Sequence, residues 1–309
     1  MKRTKKEMAL KKINTWIAML PVLMLALMLA LGISACTNIG ASAKPETAVM
    51  CFDASLLNAD EQRLADSLLT VALDNEALFT FVGPLKPMST IATFYVEVAR
   101  PDSTPRGGRT VPKQVAGDLV RVEKFQRIAN AMRCDKVRFI LQPFKMASGG
   151  KRAMDICAVR IDLFEKMLGR ERSFWGQWGF TPETPPETVA SVIEYEQKYD
   201  RYRGYGYLFG YPEHAVTFFV EAARSEDTAK KFVVRDFFQM PVASGREGHF
   251  VYAVPKGYTP QPEDLAVQQQ AAKILAEYQV RRPRYLNADS TLRARQLLRD
   301  WYRDMKTSD

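Results

Sequence analysis

The stretch VRFILQPFKMASGGKRAMDICAVRIDLFEKMLG, residues 137–169, holds two periodicities separated by a turn. Val137, Phe139 and Leu141 recur every second residue, as in a strand with one buried face. Ser148-Gly149-Gly150 is turn chemistry. Cys157, Val159, Ile161 and Leu163 then alternate with Arg160 and Asp162, which gives a partner strand. Met154, Cys157, Ile161, Phe164 and Leu168 also fit helical spacing, so this half supports two readings. We read a strand ending near Leu163 and a helical turn through Leu168, stopped by Gly169. A hairpin followed at once by a helix points to an α+β fold.

Working outward, Ala48–Phe52 reads as a short strand. Asn58 with Glu61 is a capping-box signature, and Leu64, Leu68 and Val71 line the face of the helix it opens. Residues 91–98 alternate as a strand, 101–114 (PDSTPRGGRTVPKQ) have loop composition, and Val122, Phe125, Ile128, Ala129 and Met132 mark a helix. Downstream, Thr184, Pro185 and Glu187 open a long helix carrying Val192, Tyr195, Tyr199 and Tyr202, broken at Gly204-Tyr205-Gly206. Pro212 opens another, with Val216, Phe219 and Ala223 inside. Residues 227–238 read as a further helix, 250–254 as a last strand, and about 261–281 and 289–306 as two more helices. The expectation is a small mixed sheet of about five strands with packed helices, the C-terminal half mainly helical. The corresponding divisions are 1–35, 36–46, 47–180 and 181–309, the last two packed as one unit.

The chain has 309 residues, 47% hydrophobic and 26% charged, which excludes a disordered chain, a collagen, a rod or a polytopic membrane protein. The net charge of +9 is unevenly placed. Residues 1–35 hold six of the 44 Lys+Arg and one of the 35 Asp+Glu, leaving 38 against 34, a net +4, beyond them. The basic excess therefore belongs mostly to the N-terminal segment and does not imply a nucleic-acid partner.

That segment begins with Lys2, Arg3, Lys5, Lys6, Lys11 and Lys12 and continues into an apolar run, with no charged residue between Lys12 and Lys44. It ends at Ile33-Ser34-Ala35-Cys36. The arrangement resembles the lipobox of bacterial lipoprotein signal peptides, a likeness confined to the N-terminal signal. The resemblance implies cleavage before Cys36, diacylation of Cys36 and further N-acylation. Two or three chains give a durable membrane anchor where one holds marginally. An uncleaved anchor helix is the alternative, and Pro21, Gly32 and the small residues before Cys36 suit it less well. By resemblance to the sorting rule of Gram-negative lipoproteins, Thr37 after the cysteine favours the outer membrane. Without an acidic run after Cys36, a periplasm-facing position is expected, with residues 37–46 as a tether.

Cys51, Cys134 and Cys157 remain, which allows at most one internal disulfide, and no CxxC occurs. Cys134 and Cys157 flank the hairpin and could meet; burial of all three as small hydrophobes is the favoured reading. Cofactor and enzyme signatures fail. The third glycine of Gly204-Tyr-Gly206-Tyr-Leu-Phe-Gly210 falls one place late for a dinucleotide fingerprint, and residues 145–152 lack both the first glycine and the Ser/Thr of a phosphate loop. GxSxG and HExxH are absent. No cofactor or resident metal is expected; with two histidines, His214 and His249, a three-histidine metal site is excluded, and a two-histidine site with carboxylates stays open.

Three groups are candidates. His214 with Glu213 stands at a predicted helix start and, with His249, could form a general base or metal site. Tyr205, Tyr207 and Tyr211 lie in a glycine-broken connection where rings could stack on a glycan. Arg106 and Arg109 could grip an anion. The C-terminal arginines read as the solvated face of a helix docked through Leu297, Leu298, Trp301 and Tyr302. The leading expectation is a non-enzymatic, lipid-anchored envelope component with a protein or glycan partner. The rival is an envelope hydrolase or transferase built around His214 and His249.

Overall fold

Gly149 and Gly150 join two strands by a two-residue loop, and both adopt positive φ (57° and 76°). Paired left-handed residues match the twist of a tight hairpin, and glycine occupies them without steric strain. This hairpin is the centre of the computed structural model, which describes residues 51–97 and 112–307, apart from the side chains of 112–116, 246–249 and 306–307. Its strands are β2 (Val137–Ser148) and β3 (Lys151–Arg160), and β1 (Met88–Glu97) lies antiparallel on the other side of β3.

Helices cover both faces of this sheet. Successive side chains on a strand point to opposite faces, so Ile156 and Ala158 enter one hydrophobic cluster while Cys157 and Val159 enter another. The first cluster is filled by α1 (Ala59–Asp74), the one-turn α2 (Leu78–Phe81), α3 (Pro112–Met132) and the C-terminal helices α9 (Pro262–Arg281) and α10 (Ala294–Thr307). The second is filled by α4 (Ile161–Arg170), the short α5 (Arg172–Trp175), α6 (Pro186–Tyr195), α7 (Lys198–Leu208) and α8 (Glu213–Ala229). A second hairpin, β4 (Arg235–Val242) with β5 (Gly245–Pro255), follows α8. Val49–Asp309 forms one compact unit.

The α+β mixture is present, with five strands among the described residues, but the single mixed sheet is not. The strands form an antiparallel three-stranded sheet and a separate antiparallel pair. Each hairpin is closed locally, and β1 joins only β3, so no parallel crossover arises.

Local expectations also change. Strand β3 ends at Arg160, Ile161–Leu163 open α4, and α4 runs past Gly169 to Arg170. Residues 227–238 are not one helix: α8 ends at Ala229, Lys230 takes a left-handed cap (φ 54°), and β4 begins at Arg235. Glu226 accepts from the Val233 amide at 3.0 Å and from the Arg235 guanidinium, which fastens the helix end to the strand start. The break between α6 and α7 falls at Glu196-Gln197, and Gly204 and Gly206 lie inside α7. A Cβ on Gly204 would stand 2.8 Å from Ile193 Cγ2, and one on Gly206 would stand 2.7 Å from Val216 Cγ2. Those glycines permit close helix packing and do not stop the helix. Finally, Cys51 and Phe52 form a turn, and the remainder of 48–52 lies outside the described residues. Segment 1–35, Cys36 and the 37–46 tether lie outside them as well. No helix of the described residues is long and apolar enough to cross a membrane.

Candidate functional site

Gly206 lets α7 approach Val216 on α8, and the β4–β5 hairpin faces this contact. A cleft of about 300 Å³ opens there, walled by Tyr202, Tyr205, Phe209, Tyr211, Phe219, Phe237 and Tyr252. Phe237 (57% exposed) and Phe219 (37%) stand at its mouth. At the other end Gly210, at φ 75°, turns the chain between the helices; a Cβ here would stand 2.3 Å from the Leu85 carbonyl oxygen. The cleft is at the lower end of the size range of ligand pockets, and like them it is mainly apolar.

Two of the four phenol groups of this wall are committed to carboxylates. Tyr205 donates to Glu194 at 2.8 Å and Tyr252 donates to Asp264 at 2.5 Å. Both carboxylates are buried. Burial, then the neighbouring carboxylate, pushes both phenols far above their ordinary range. The rings of Tyr205 and Tyr252 therefore line the cleft while their hydroxyls are taken up by Glu194 and Asp264. Tyr207 faces the other way: it is buried beside Phe174 (5.3 Å) and Trp175 (6.2 Å), and its hydroxyl donates to Glu213 at 2.7 Å. Burial raises its pKa to about 12. Of the three tyrosines proposed from sequence, Tyr205 and Tyr211 line the cleft and Tyr207 supports it from behind.

Next to the cleft is a polar cluster. His214 Nε2 lies 3.1 Å from Asp264 Oδ1 and 3.1 Å from the Tyr258 hydroxyl, and its ring stacks on Tyr258 at 5.6 Å. Its Nδ1 is 3.7 Å from Glu263. Asp264 also accepts from Tyr258 at 2.6 Å and from the Gln261 amide at 2.7 Å. His214 thus does not pair with Glu213, whose carboxylate is held by Tyr207, Thr217 and Arg203. His249 lies on β5 and its side chain is outside the described residues, as are Arg106 and Arg109 entirely. Asp264 is the functional candidate that the sequence reading missed. The available signal was Gln261 and Asp264 bracketing Pro262, a capping box at the start of α9.

Cys134 and Cys157 do not meet, and the favoured burial holds for both, with Cys51 half-buried. Cys134 contacts the Cys51 side chain, a hydrogen bond that lowers its pKa, while Cys157 is buried with its thiol 3.8 Å from Thr90 and pushed up to about 12 by burial. None of the three forms a disulfide among the described residues. Among the described residues, no group of three or more His, Cys, Asp or Glu is placed to hold a metal ion. Under the cleft, Lys86 is fully buried 4.3 Å from the Phe250 ring centre and donates to Glu76 at 2.8 Å. Burial lowers its pKa, and Glu76 opposes that shift.

No protein-family model, no curated protein and no solved structure matches the chain.

Proposed function

We propose that this is a lipid-anchored envelope protein, held at the outer membrane through Cys36 and facing the periplasm. It captures an apolar segment of a partner protein in the α7–α8–hairpin cleft. The observation that carries the binding role is the cleft wall: ring faces line it, while the Tyr205 and Tyr252 hydroxyls are committed to Glu194 and Asp264. A glycan needs orienting hydrogen bonds as well as stacking, and an apolar side chain needs only desolvated rings, so the wall favours a protein partner. Phe219 and Phe237 at the mouth are the anchors a partner would cover.

The test is recovery from cross-linked envelopes of the host, with the full-length chain as bait. A stoichiometric protein should accompany the wild type and disappear with Phe219→Glu/Phe237→Glu, two exposed positions whose substitution leaves the core intact. Recovery of the same partner by that variant refutes the cleft. The anchor is tested separately: Cys36→Ser should release the protein from membranes or leave an unprocessed precursor, and an unchanged, fully processed membrane fraction refutes it.

One observation favours the second reading, a hydrolase or transferase. Asp264 orients the His214 imidazole, as an acid partner does for a catalytic base. Among the described residues no serine, threonine or cysteine side chain is hydrogen-bonded to His214, so this chemistry would rely on an activated water. It predicts slow hydrolysis of p-nitrophenyl acetate that His214→Gln abolishes while partner recovery stays unchanged. Absence of turnover by the wild type removes it.

A further inference from the structure

A second cavity, of about 350 Å³ and polar where the cleft is apolar, opens where α10 begins against α1. Its positive side is made by Arg293, Arg295 and Arg299, and Ser55, Gln62 and Gln296 add polar groups. Two carboxylates also line it, and their commitments decide the balance. Asp66 is engaged by Arg295, through its amide at 2.9 Å and its guanidinium at 2.8 Å. Asp53 accepts from the Ser55 amide (2.9 Å) and hydroxyl (3.0 Å). Arg293 is held only by neutral acceptors, Gln296 Oε1 at 2.9 Å and the Arg284 carbonyl at 3.1 Å. Arg299 is exposed and makes no ion pair among the described residues. Three guanidiniums therefore face two carboxylates, one of them neutralised.

The Nε atoms of Arg293 and Arg295 are closed off from solvent, so the groups open to the cavity are the guanidinium ends, with Arg295 already paired to Asp66 and Arg293 and Arg299 free of a carboxylate partner among the described residues. Two guanidiniums at a helix start, whose dipole favours negative charge, match the geometry of a phosphate oxyanion.

We infer that the Arg293–Arg295–Arg299 cavity is a binding site for a phosphate group, separate from the aromatic cleft. The group is a phosphodiester of a lipid headgroup or a free phosphate. The chain itself suggests the headgroup. Asp53 and Ser55 stand 17 and 19 residues after Cys36, so an extended chain places the cavity within roughly 60–70 Å of the anchor. Only the headgroup source rests on the anchor reading; phosphate binding does not.

The experiment is calorimetric titration of the full-length protein in non-ionic detergent with two soluble probes. One is inorganic phosphate. The other is glycerophosphoglycerol, the deacylated headgroup of an anionic phospholipid. Saturable binding of either, weakened at least tenfold by Arg299→Ala, supports the site. Tighter binding of the diester assigns it to a headgroup, and tighter binding of inorganic phosphate assigns it to a free anion. Binding of neither probe, or binding that Arg299→Ala leaves unchanged, overturns the proposal. Arg299 is exposed, so its truncation tests the site without endangering the fold; Arg293→Ala serves as a second variant with the same expected loss. A protein that binds phosphate but is released from membranes only by Cys36→Ser keeps both proposals. One that binds phosphate and ignores Cys36→Ser loses the anchor alone.

Discussion

Asp264 is fully buried, yet Tyr252, Tyr258, the Gln261 amide and His214 all converge on it. Burial pushes its pKa upward, but the donated hydrogen bonds outweigh burial and hold the carboxyl below its ordinary 3.8. The sign of the linkage follows. A carboxyl with a lowered folded pKa contributes stability above the unfolded value, and that contribution is lost as pH falls through the folded one. Stability is therefore expected to decline below about pH 4, with Glu61, lowered by Arg127, acting in the same direction. Asp264→Asn should remove the acid dependence belonging to this site and reduce stability by about 2–3 kcal/mol, because an amide NH2 then faces donors. Urea denaturation at pH 7 and pH 3.5 checks both. At alkaline pH the sign reverses: Tyr207 and Tyr258, raised from 10.0 to about 12, contribute stability below pH 10 that is lost as pH rises through 12.

Among the elements, glycines separate what sequence reading recovers from what it misses. The Asn58–Glu61 capping box and the Gly149-Gly150 turn act through their immediate neighbours, so their roles are local and legible. Gly204 and Gly206 look like helix breakers because sequence alone does not show that Ile193 and Val216 press against them. The β4 strand was hidden for a similar reason. Its inward residues, Phe238 and Met240, pair with Tyr252 and Phe250 on a strand that comes later in the chain, and the preceding helix supplied a competing period. Of the site, the tyrosine concentration was visible, but Asp264 became His214's partner only through the fold. Gly206→Ala should cost about 1–3 kcal/mol by forcing Val216 aside. Gly210→Ala should cost more, since backbone obstructs it and its φ is positive. Gly117→Ala, with nothing within 4 Å, should be neutral or stabilise α3 by up to about 1 kcal/mol. Thermal melts of the three variants rank them.

Across the whole molecule, the C-terminal helices close the larger core. Tyr302 donates to the Phe81 carbonyl at 2.7 Å, and Phe52 meets Phe81, Phe139 and Tyr302 edge to face. Tyr278 and Arg282 both bind Asp74 on α1. Trp301 and Leu298 are almost wholly buried. Deleting residues 294–309 should therefore abolish cooperative unfolding and expose this core; calorimetry showing an intact single transition would contradict this account. The turn at Gly210 has a consequence for timing. With that corner set against the Leu85 backbone, and the β4–β5 hairpin rooted in the larger core through Met240, Phe250 and Val254, neither side of the cleft yields without disturbing packed interior. The seat is formed before a guest arrives, so capture should occur in a single step whose rate rises in proportion to guest concentration.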